Sequence, residues 1–356
     1  MKSNPTPAID FHFMNIVSNK KKINSRDLAI DLGNNNTLIS AGNQILVDQP
    51  SFVALNSGNG LKAAGRDAYQ MVGKTNGDSK TVKPLRSGVI ADYDSASKMV
   101  KAFVKEAFLN RLPLLGFNTI LAGVPYATTE VEKRALRDAL HQFRSNRVAL
   151  IHEPIAAAIG ADLNIREPEG KLIIDIGGGI TEIAVISLSG IVSSQSIKVA
   201  GDAFDEDIVE HFRKNYNMTI SLNMAEQIKI NAGAAITELD HAPPPIVAIG
   251  KDLIVGIPRA IEIDYREVAE VLNRSILRIE QALIKTMEEC PPELAADIYD
   301  DGIYLTGGGS LLRGLRERIE QRVKIKVHPH PHALHTVAIG ISKVLQQPER
   351  YQYVLI

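Results

Sequence analysis

Short apolar runs that end in small polar turns recur along this chain. Leu28-Ala29-Ile30-Asp31-Leu32-Gly33 opens into Asn34-Asn35-Asn36-Thr37, and the chain turns apolar again at Leu38-Ile39. Leu172-Ile173-Ile174-Asp175-Ile176 runs into Gly177-Gly178-Gly179, and apolar residues resume at Ile183-Ala184-Val185-Ile186. Each copy reads as strand, Gly/Asn turn, strand. The copies lie too far apart for a solenoid repeat and at a distance that suits a duplicated domain. A further buried-strand run, Ile303-Tyr304-Leu305-Thr306, leads into Gly307-Gly308-Gly309.

Between these runs the apolar period becomes helical. Thr129 and Glu132 have capping-box spacing, and Val131, Ala135, Leu136, Ala139, Leu140 and Phe143 form a stripe behind them. Val148-Ala149-Leu150-Ile151 reads as a buried strand. After His152-Glu153-Pro154 comes Ile155-Ala156-Ala157-Ala158-Ile159-Gly160-Ala161, which suits a tightly packed helix that starts on the proline. Residues 205–215 carry a stripe of Ile208, Val209 and Phe212, and 266–287 read as one long amphipathic helix stopped by Pro291-Pro292. Strands alternating with helices predict an α/β fold.

Composition narrows the classes. A length of 356 residues suggests two or three domains, and 45% hydrophobic with 23% charged residues excludes wholesale disorder. Lys and Arg number 40 against 41 Asp and Glu, so nothing predicts nucleic acid as a partner. The single cysteine, Cys290, has no intrachain partner for a disulfide and fits a reducing compartment. No apolar run approaches the roughly 20 residues of a membrane-spanning helix. The first 27 residues depart from the average. There Phe11-His12-Phe13-Met14-Asn15-Ile16-Val17 precedes Lys20-Lys21-Lys22. A secretory signal would reverse that order. The arrangement suits a membrane-surface anchor, with aromatics at the interface and lysines on anionic lipid.

Three strand ends running into small-residue turns point to phosphate. Glycine lets backbone N–H groups approach phosphate oxygens with no Cβ in the way. Asp31 and Asp175, each two residues before a glycine, are placed to hold Mg²⁺ through waters. Other nucleotide and metal motifs fail. Gly73-Lys74-Thr75 lacks the earlier glycine of a Walker A loop, which falls on Ala68. No G-x-G-x-x-G opens a helix after a strand. His152-Glu153 is followed by Ala156 where a zinc motif needs His. His328, His330, His332 and His335 cluster among prolines and read as a solvated loop.

Taken together, these motifs resemble the actin/heat-shock-70/sugar-kinase superfamily and, within it, MreB, the bacterial actin homologue. The carriers are Asp31-Leu32-Gly33-x-x-Asn36-Thr37 and Asp175-Ile176-Gly177-Gly178-Gly179-x-Thr181-Glu182. Lys83-Pro84-Leu85-Arg86-Ser87-Gly88-Val89-Ile90-Ala91-Asp92, Glu153-Pro154, Val199-Ala200-Gly201-Asp202, Ala225-Glu226-Gln227-Ile228-Lys229 and Leu305-Thr306-Gly307-Gly308-Gly309-Ser310-Leu311-Leu312-Arg313 follow in the family's order. The resemblance implies an actin-like ATPase fold of two duplicated ribonuclease-H-like domains around a nucleotide cleft. Domain I would be 28–165 plus 322–356, with an insertion at about 45–95. Domain II would be 166–321, with an insertion at about 202–258.

The resemblance also implies ATP and Mg²⁺ as cofactors. Gly33, Asn34, Asn35, Asn36, Thr37, Gly177, Gly178, Gly179 and Thr181 would wrap the phosphates. Asp31 and Asp175 would serve the metal. Glu226 and Lys229 would face ribose and base, and Gly307, Gly308, Ser310 and Arg313 the adenine side. Glu153 would orient the attacking water. MreB-like chains usually carry Thr where Asn34 and Ile180 stand. Ile180 has no hydroxyl to share the water with Glu153, so Glu182 would substitute in part and turnover should be slow. The implied function is a bacterial homopolymer filament on the inner face of the cytoplasmic membrane, with a shape-determining role beside membrane-embedded morphogenesis proteins. Membrane contacts would be residues 11–17 and Leu112-Pro113-Leu114-Leu115-Gly116-Phe117. The alternatives are a nucleotide-binding scaffold that turns over little and a small-molecule kinase of the same fold.

Overall fold

The computed structural model describes residues 26–42, 44–109, 113 and 116–356. Two five-stranded sheets organise it. The first runs, in spatial order, Ser145–His152, Phe117–Val124, Leu28–Leu32, Asn36–Ala41, Gln44–Pro50. The second runs Val327–Pro329, Ile303–Thr306, Lys171–Ile176, Thr181–Ser187, Gly190–Ile197. The two orders correspond strand for strand. The strands bearing Asp31 and Asp175 are both central, antiparallel to the next strand in sequence and parallel to a later one. Near-continuous apolar runs in these central strands reflect burial on both faces. This pairing is the duplication that the two turns suggested.

Each half carries an insertion with its own small sheet. Val53–Asn56 pairs with Leu61–Ala64 and Ser79–Val82 in the first, and Ile246–Asp252 with Met218–Thr219 and Pro258–Ile263 in the second. The expected return to the first half at 322 comes too early. Val327–Pro329 pairs in parallel with Ile303–Thr306, so the second sheet extends to Pro329. The chain returns with the helix Thr336–Gln346, and Leu355 finally bridges to Ile151 of the first sheet.

The small apolar helix Glu153–Gly160 is buried at every position because it lies between the halves. Its residues share one apolar cluster with Ala29 and Leu121 of the first sheet and Ile173 and Ile186 of the second. It packs backbone to backbone on Thr336–Gln346. A Cβ on Gly340 would stand 1.8 Å from the Ala156 carbonyl oxygen, and one on Gly160 2.0 Å from that of Thr336.

The helix Glu130–His141 has the expected capping box: Thr129 accepts from Glu132 N–H, and Glu132 accepts from Thr129 N–H. Val131 does not belong to its apolar stripe, being 79% exposed in the first turn. Phe117 also departs from expectation. It opens the strand Phe117–Val124 and is buried in the first half's core, so it is no lipid contact. Segment 11–17 and Leu112, Leu114 and Leu115 lie outside the described residues. Among the described residues no helix is long and apolar enough to cross a membrane.

Candidate functional site

The two Gly/Asn turns, one from each half, meet. A Cβ on Gly178 would fall 2.6 Å from Asn35 Cγ, and one on Gly179 1.7 Å from Asn34 Nδ2. Glycine is therefore required at both positions while the asparagines face them. The Gly177 and Gly178 carbonyls accept from the N–H groups of Gly201 and Asp202, at 3.2 and 2.7 Å, where the helix Gly201–Tyr216 begins. In a trans peptide the next N–H points the opposite way, so the amides of Gly178 and Gly179 face away from that helix. Asn36 and Thr37 support the first turn from outside. Asn36 donates to Asp48 at 2.9 Å, Thr37 and Ser51 hydroxyls meet at 2.9 Å, and Ser51 closes on the Gly33 carbonyl at 2.6 Å. Thr181 is likewise turned inward, donating to the Val199 carbonyl at 2.6 Å.

Four carboxyl groups converge beneath the turns. Burial, then repulsion from Asp175, pushes Asp31 up to about 7. Burial raises Asp175 to about 6, although Thr306 donates to it at 3.0 Å. Glu182, opposite Asp175 in the sheet, is pushed by burial up to about 7 despite donors from Tyr126 N–H and Ser196 Oγ, each at 2.8 Å. Its other oxygen, Oε2, is buried without a partner. Glu153, at the start of its helix, is held well above the usual carboxylate range by burial and then by Glu182, Asp31 and Asp175. Gly123 makes room for it: a Cβ there would sit 3.2 Å from Glu153 Cγ. Such uncompensated negative charge fits a bound cation. Among the described residues no three acidic, His or Cys side chains form a metal cage. A cation here would need phosphate and water as further ligands, which is the ordinary Mg²⁺ arrangement.

The residues expected on the base side all lie in the second half, and their side chains already have partners. Glu226 accepts from Tyr69 Oη, which belongs to the first half's insertion. Lys229 donates to Asp205 at 2.8 Å and to the Gly201 carbonyl at 3.0 Å. Arg313 donates to the carbonyls of Ile230 and Gly233 at 3.1 and 3.3 Å, closing the end of the helix Leu222–Ala232. Ser310 closes its own turn on the Gly307 carbonyl at 2.6 Å. Gly307 has a φ of +80°, and a Cβ there would meet the Ile176 carbonyl oxygen at 2.3 Å, so the third turn presses on the second turn's strand. Ile180 faces the insertion of the first half, with Cγ2 3.5 Å from where a Cβ on Gly88 would be.

Tyr69, Lys83 and Asp202 were not singled out from sequence for any role. Lys83 and Asp202 stand inside motif blocks that resemble the family's, which is the signal the sequence carries; Tyr69 has none, because its partner is 157 residues away. The four histidines do not converge on one point, although His330 and His332 lie edge to face with ring centroids 6.1 Å apart. His328 stacks on Tyr304, Thr336 Oγ1 and His330 Nδ1 lie 3.1 Å apart, and His335 pairs with Asp48 at 3.2 Å.

Comparison with known proteins agrees with this geometry. The model of the MreB/Mbl protein family matches residues 25–353. The chain is 39% identical to the cell shape-determining protein Mbl of Bacillus subtilis (strain 168), covering 92% of this chain and 97% of that one. It is 40% identical to the cell shape-determining protein MreB of Escherichia coli (strain K12), covering 90% and 94%. A crystal structure of MreB 5 of Spiroplasma citri bound to AMPPNP superposes with a TM-score of 0.87 at 34% identity, covering 92% of this chain and 98% of that one. A MamK double helical filament shares the fold with a TM-score of 0.72 at 19% identity, covering 90% and 99%. The duplicated sheets, the paired turns between them and these matches place the chain in the MreB/Mbl family, with an actin-like fold.

Proposed function

We propose that the chain binds ATP with Mg²⁺ between its halves and polymerises into filaments that act at the cytoplasmic membrane in shape determination. The observation that carries the nucleotide reading is the meeting of the two glycine turns above a group of carboxyl groups whose charge is unmet. The related MreB 5 structure is bound to AMPPNP, which supports nucleotide binding by this chain. In this reading Gly33, Asn34, Asn35 and Gly177, Gly178 and Gly179 hold phosphates, and Asp31 and Asp175 hold Mg²⁺ through waters. Bound there, Mg²⁺ would neutralise phosphate charge. Glu226 and Lys229 would exchange their present partners for ribose and base beside Gly307 and Gly308. Glu153 is the group that orients water. Ile180 cannot assist it, which favours slow hydrolysis.

Self-assembly is supported by the tip of the hairpin between Ile246–Asp252 and Pro258–Ile263. Leu253, Ile254, Val255 and Ile257 are 51%, 78%, 64% and 60% exposed there. A contiguous apolar tip of this kind marks a protein contact, and a second copy of the chain is the partner the family suggests. For the membrane, Leu112, Leu114, Leu115 and segment 11–17 remain the proposed contacts, with Lys101, Lys105 and Arg144 grouped around Pro113 to meet anionic lipid. Electron microscopy and pelleting with and without Mg-ATP test the reading. Wild type should form filaments with ATP. Ile254→Asp should bind ATP and remain unassembled. A wild type that neither binds nor pellets overturns the proposal.

A further inference from the structure

Lys83 follows the strand Ser79–Val82 of the first half's insertion, and its ammonium crosses the cleft. It donates to Asn35 Oδ1 at 2.5 Å and to both carboxylate oxygens of Asp202 at 2.8 Å. Asp202 belongs to the second half, in the first turn of Gly201–Tyr216, and its own N–H is bonded to the Gly178 carbonyl. Asn34 Nδ2 adds a donor to Asp202 at 3.3 Å, while Asn34 Oδ1 accepts from Gly88 N–H at 2.8 Å. Both turns, the insertion and the helix start are thus tied together by one polar seam.

That seam runs where phosphate would lie. Asn34 and Asn35 fill the space directly against Gly179 and Gly178. A phosphate held by both turns needs that space and brings negative charge beside Lys83. The Lys83 and Asp202 side chains are 25% and 32% exposed, so their pairing is of the modest kind that a multiply charged ligand can replace. An acidic residue in a helix's first turn is ordinary. A lysine from another domain held on it by both oxygens, and also bonded to the facing turn, is a more specific arrangement.

We propose that Lys83 selects the terminal phosphate of the nucleotide, and that Asp202 is a positioning residue that holds Lys83 and keeps the seam closed until a triphosphate takes it. The proposal rests on the nucleotide-binding reading above. Any phosphate held by the turns displaces the asparagines, but only a triphosphate reaches the lysine and breaks its pair with Asp202; a diphosphate ends short of it and leaves that pair in place. Lys83 thereby reports the state of the nucleotide to the insertion that carries it.

Titration calorimetry on the full chain with Mg²⁺, using AMPPNP and ADP as probes, tests this. Wild type should prefer AMPPNP by tenfold or more. Lys83→Met should bring the two affinities within threefold of each other, chiefly by weakening AMPPNP, and Lys83→Arg should restore part of the preference. Asp202→Asn keeps the side chain's shape and frees the lysine. It should tighten AMPPNP three- to tenfold, leave ADP unchanged and lower the melting temperature without nucleotide. A purely structural ion pair would lower that temperature with no gain in AMPPNP affinity, and that outcome overturns the proposal. An unchanged AMPPNP-to-ADP ratio in Lys83→Met does so as well. A wild type that binds neither probe removes the nucleotide reading itself, and this proposal with it. If Lys83→Met fails to fold, the Asp202→Asn arm decides alone.

Discussion

Asp175→Asn should stabilise the protein without nucleotide while abolishing the response to Mg-ATP. The substitution removes a charge and keeps the shape, and the amide oxygen can still accept from Thr306, now at 3.0 Å. Burial moves Asp175 from an ordinary 3.8 to about 6. A carboxyl group whose folded pKa is raised contributes stability fully present below its unfolded value, and that contribution is lost as pH rises through the folded value. Above pH 7, keeping Asp175 ionised therefore costs up to about 3 kcal/mol, at roughly 1.4 kcal/mol per unit. The Asn variant escapes that cost and also relieves Asp31, whose second cause of elevation is Asp175. Urea unfolding in chelator, monitored at pH 8 and again near pH 4, gives the comparison. The variant should be more stable by about 1–3 kcal/mol at pH 8 and nearly equal to wild type near pH 4. Adding Mg-ATP should raise the unfolding midpoint of wild type alone. A variant less stable than wild type at pH 8 would mean that the charge is already compensated within the protein. An equal Mg-ATP response in both would remove Asp175 from the cation site.

Ile180→Thr should raise the phosphate-release rate on the order of 100-fold, the usual worth of a positioned hydrogen bond to the reacting centre, with ATP affinity nearly unchanged; an unaltered rate would place residue 180 away from the attacking water. Gly340→Ala should destabilise by about 3 kcal/mol or more, because its Cβ would stand 1.8 Å from the Ala156 carbonyl oxygen in a contact with no flexible side chain to yield, and thermal unfolding reads this directly. Leu114→Ser/Leu115→Ser in a chain lacking residues 1–22 should lose co-sedimentation with anionic vesicles; undiminished binding would clear both segments of that role.

The fold was legible because its repeat is local. Asp31 and Asp175 each end an apolar strand before a small-residue turn, and such a unit can be read wherever it stands. Glu153 was named by resemblance alone, and the structure sets it near Glu182, Asp31 and Asp175. What sequence hid are contacts between distant segments. Tyr69 meets Glu226, and Lys83 meets Asp202, across the cleft. No period or cap connects residues so far apart, and a lysine before a proline reads as surface. Phe117 failed for the opposite reason. It follows a Pro/Gly loop of leucines and looked like part of it, but it is the first residue of a sheet strand and packs on Phe108. The boundary near 322 failed because Val327–Pro329 is a three-residue strand ending in proline, too short to stand out from the loop around it.

Asn34 and Ile180, the two positions where the resemblance implies threonine, belong to one arrangement. Both reach the same turn of the first half's insertion. Arg86 and Val89 pair across Ser87 and Gly88, whose φ values of +50° and +77° suit a tight two-residue hairpin. Asn34 Oδ1 accepts from Gly88 N–H, and Ile180 Cγ2 lies at the bare face of the same glycine. A threonine at 34 would have one hydroxyl oxygen for both Gly88 and Asp202, and the longer amide serves each with a separate atom. An isoleucine at 180 gives up the hydroxyl and gains apolar contact with the turn. The insertion is thus fastened to the first Gly/Asn turn by a hydrogen bond and to the second by packing. On this argument the slow hydrolysis proposed above and the hold on the insertion would arise from the same pair of side chains. Residues that share a partner are coupled, commonly by 0.5–3 kcal/mol. Asn34→Thr, Ile180→Thr and the double variant should therefore show non-additive losses of stability, with the double variant losing less than the two singles together. Additive losses would mean that the two residues hold the turn independently, and the common origin of closure and slow turnover would have to be given up.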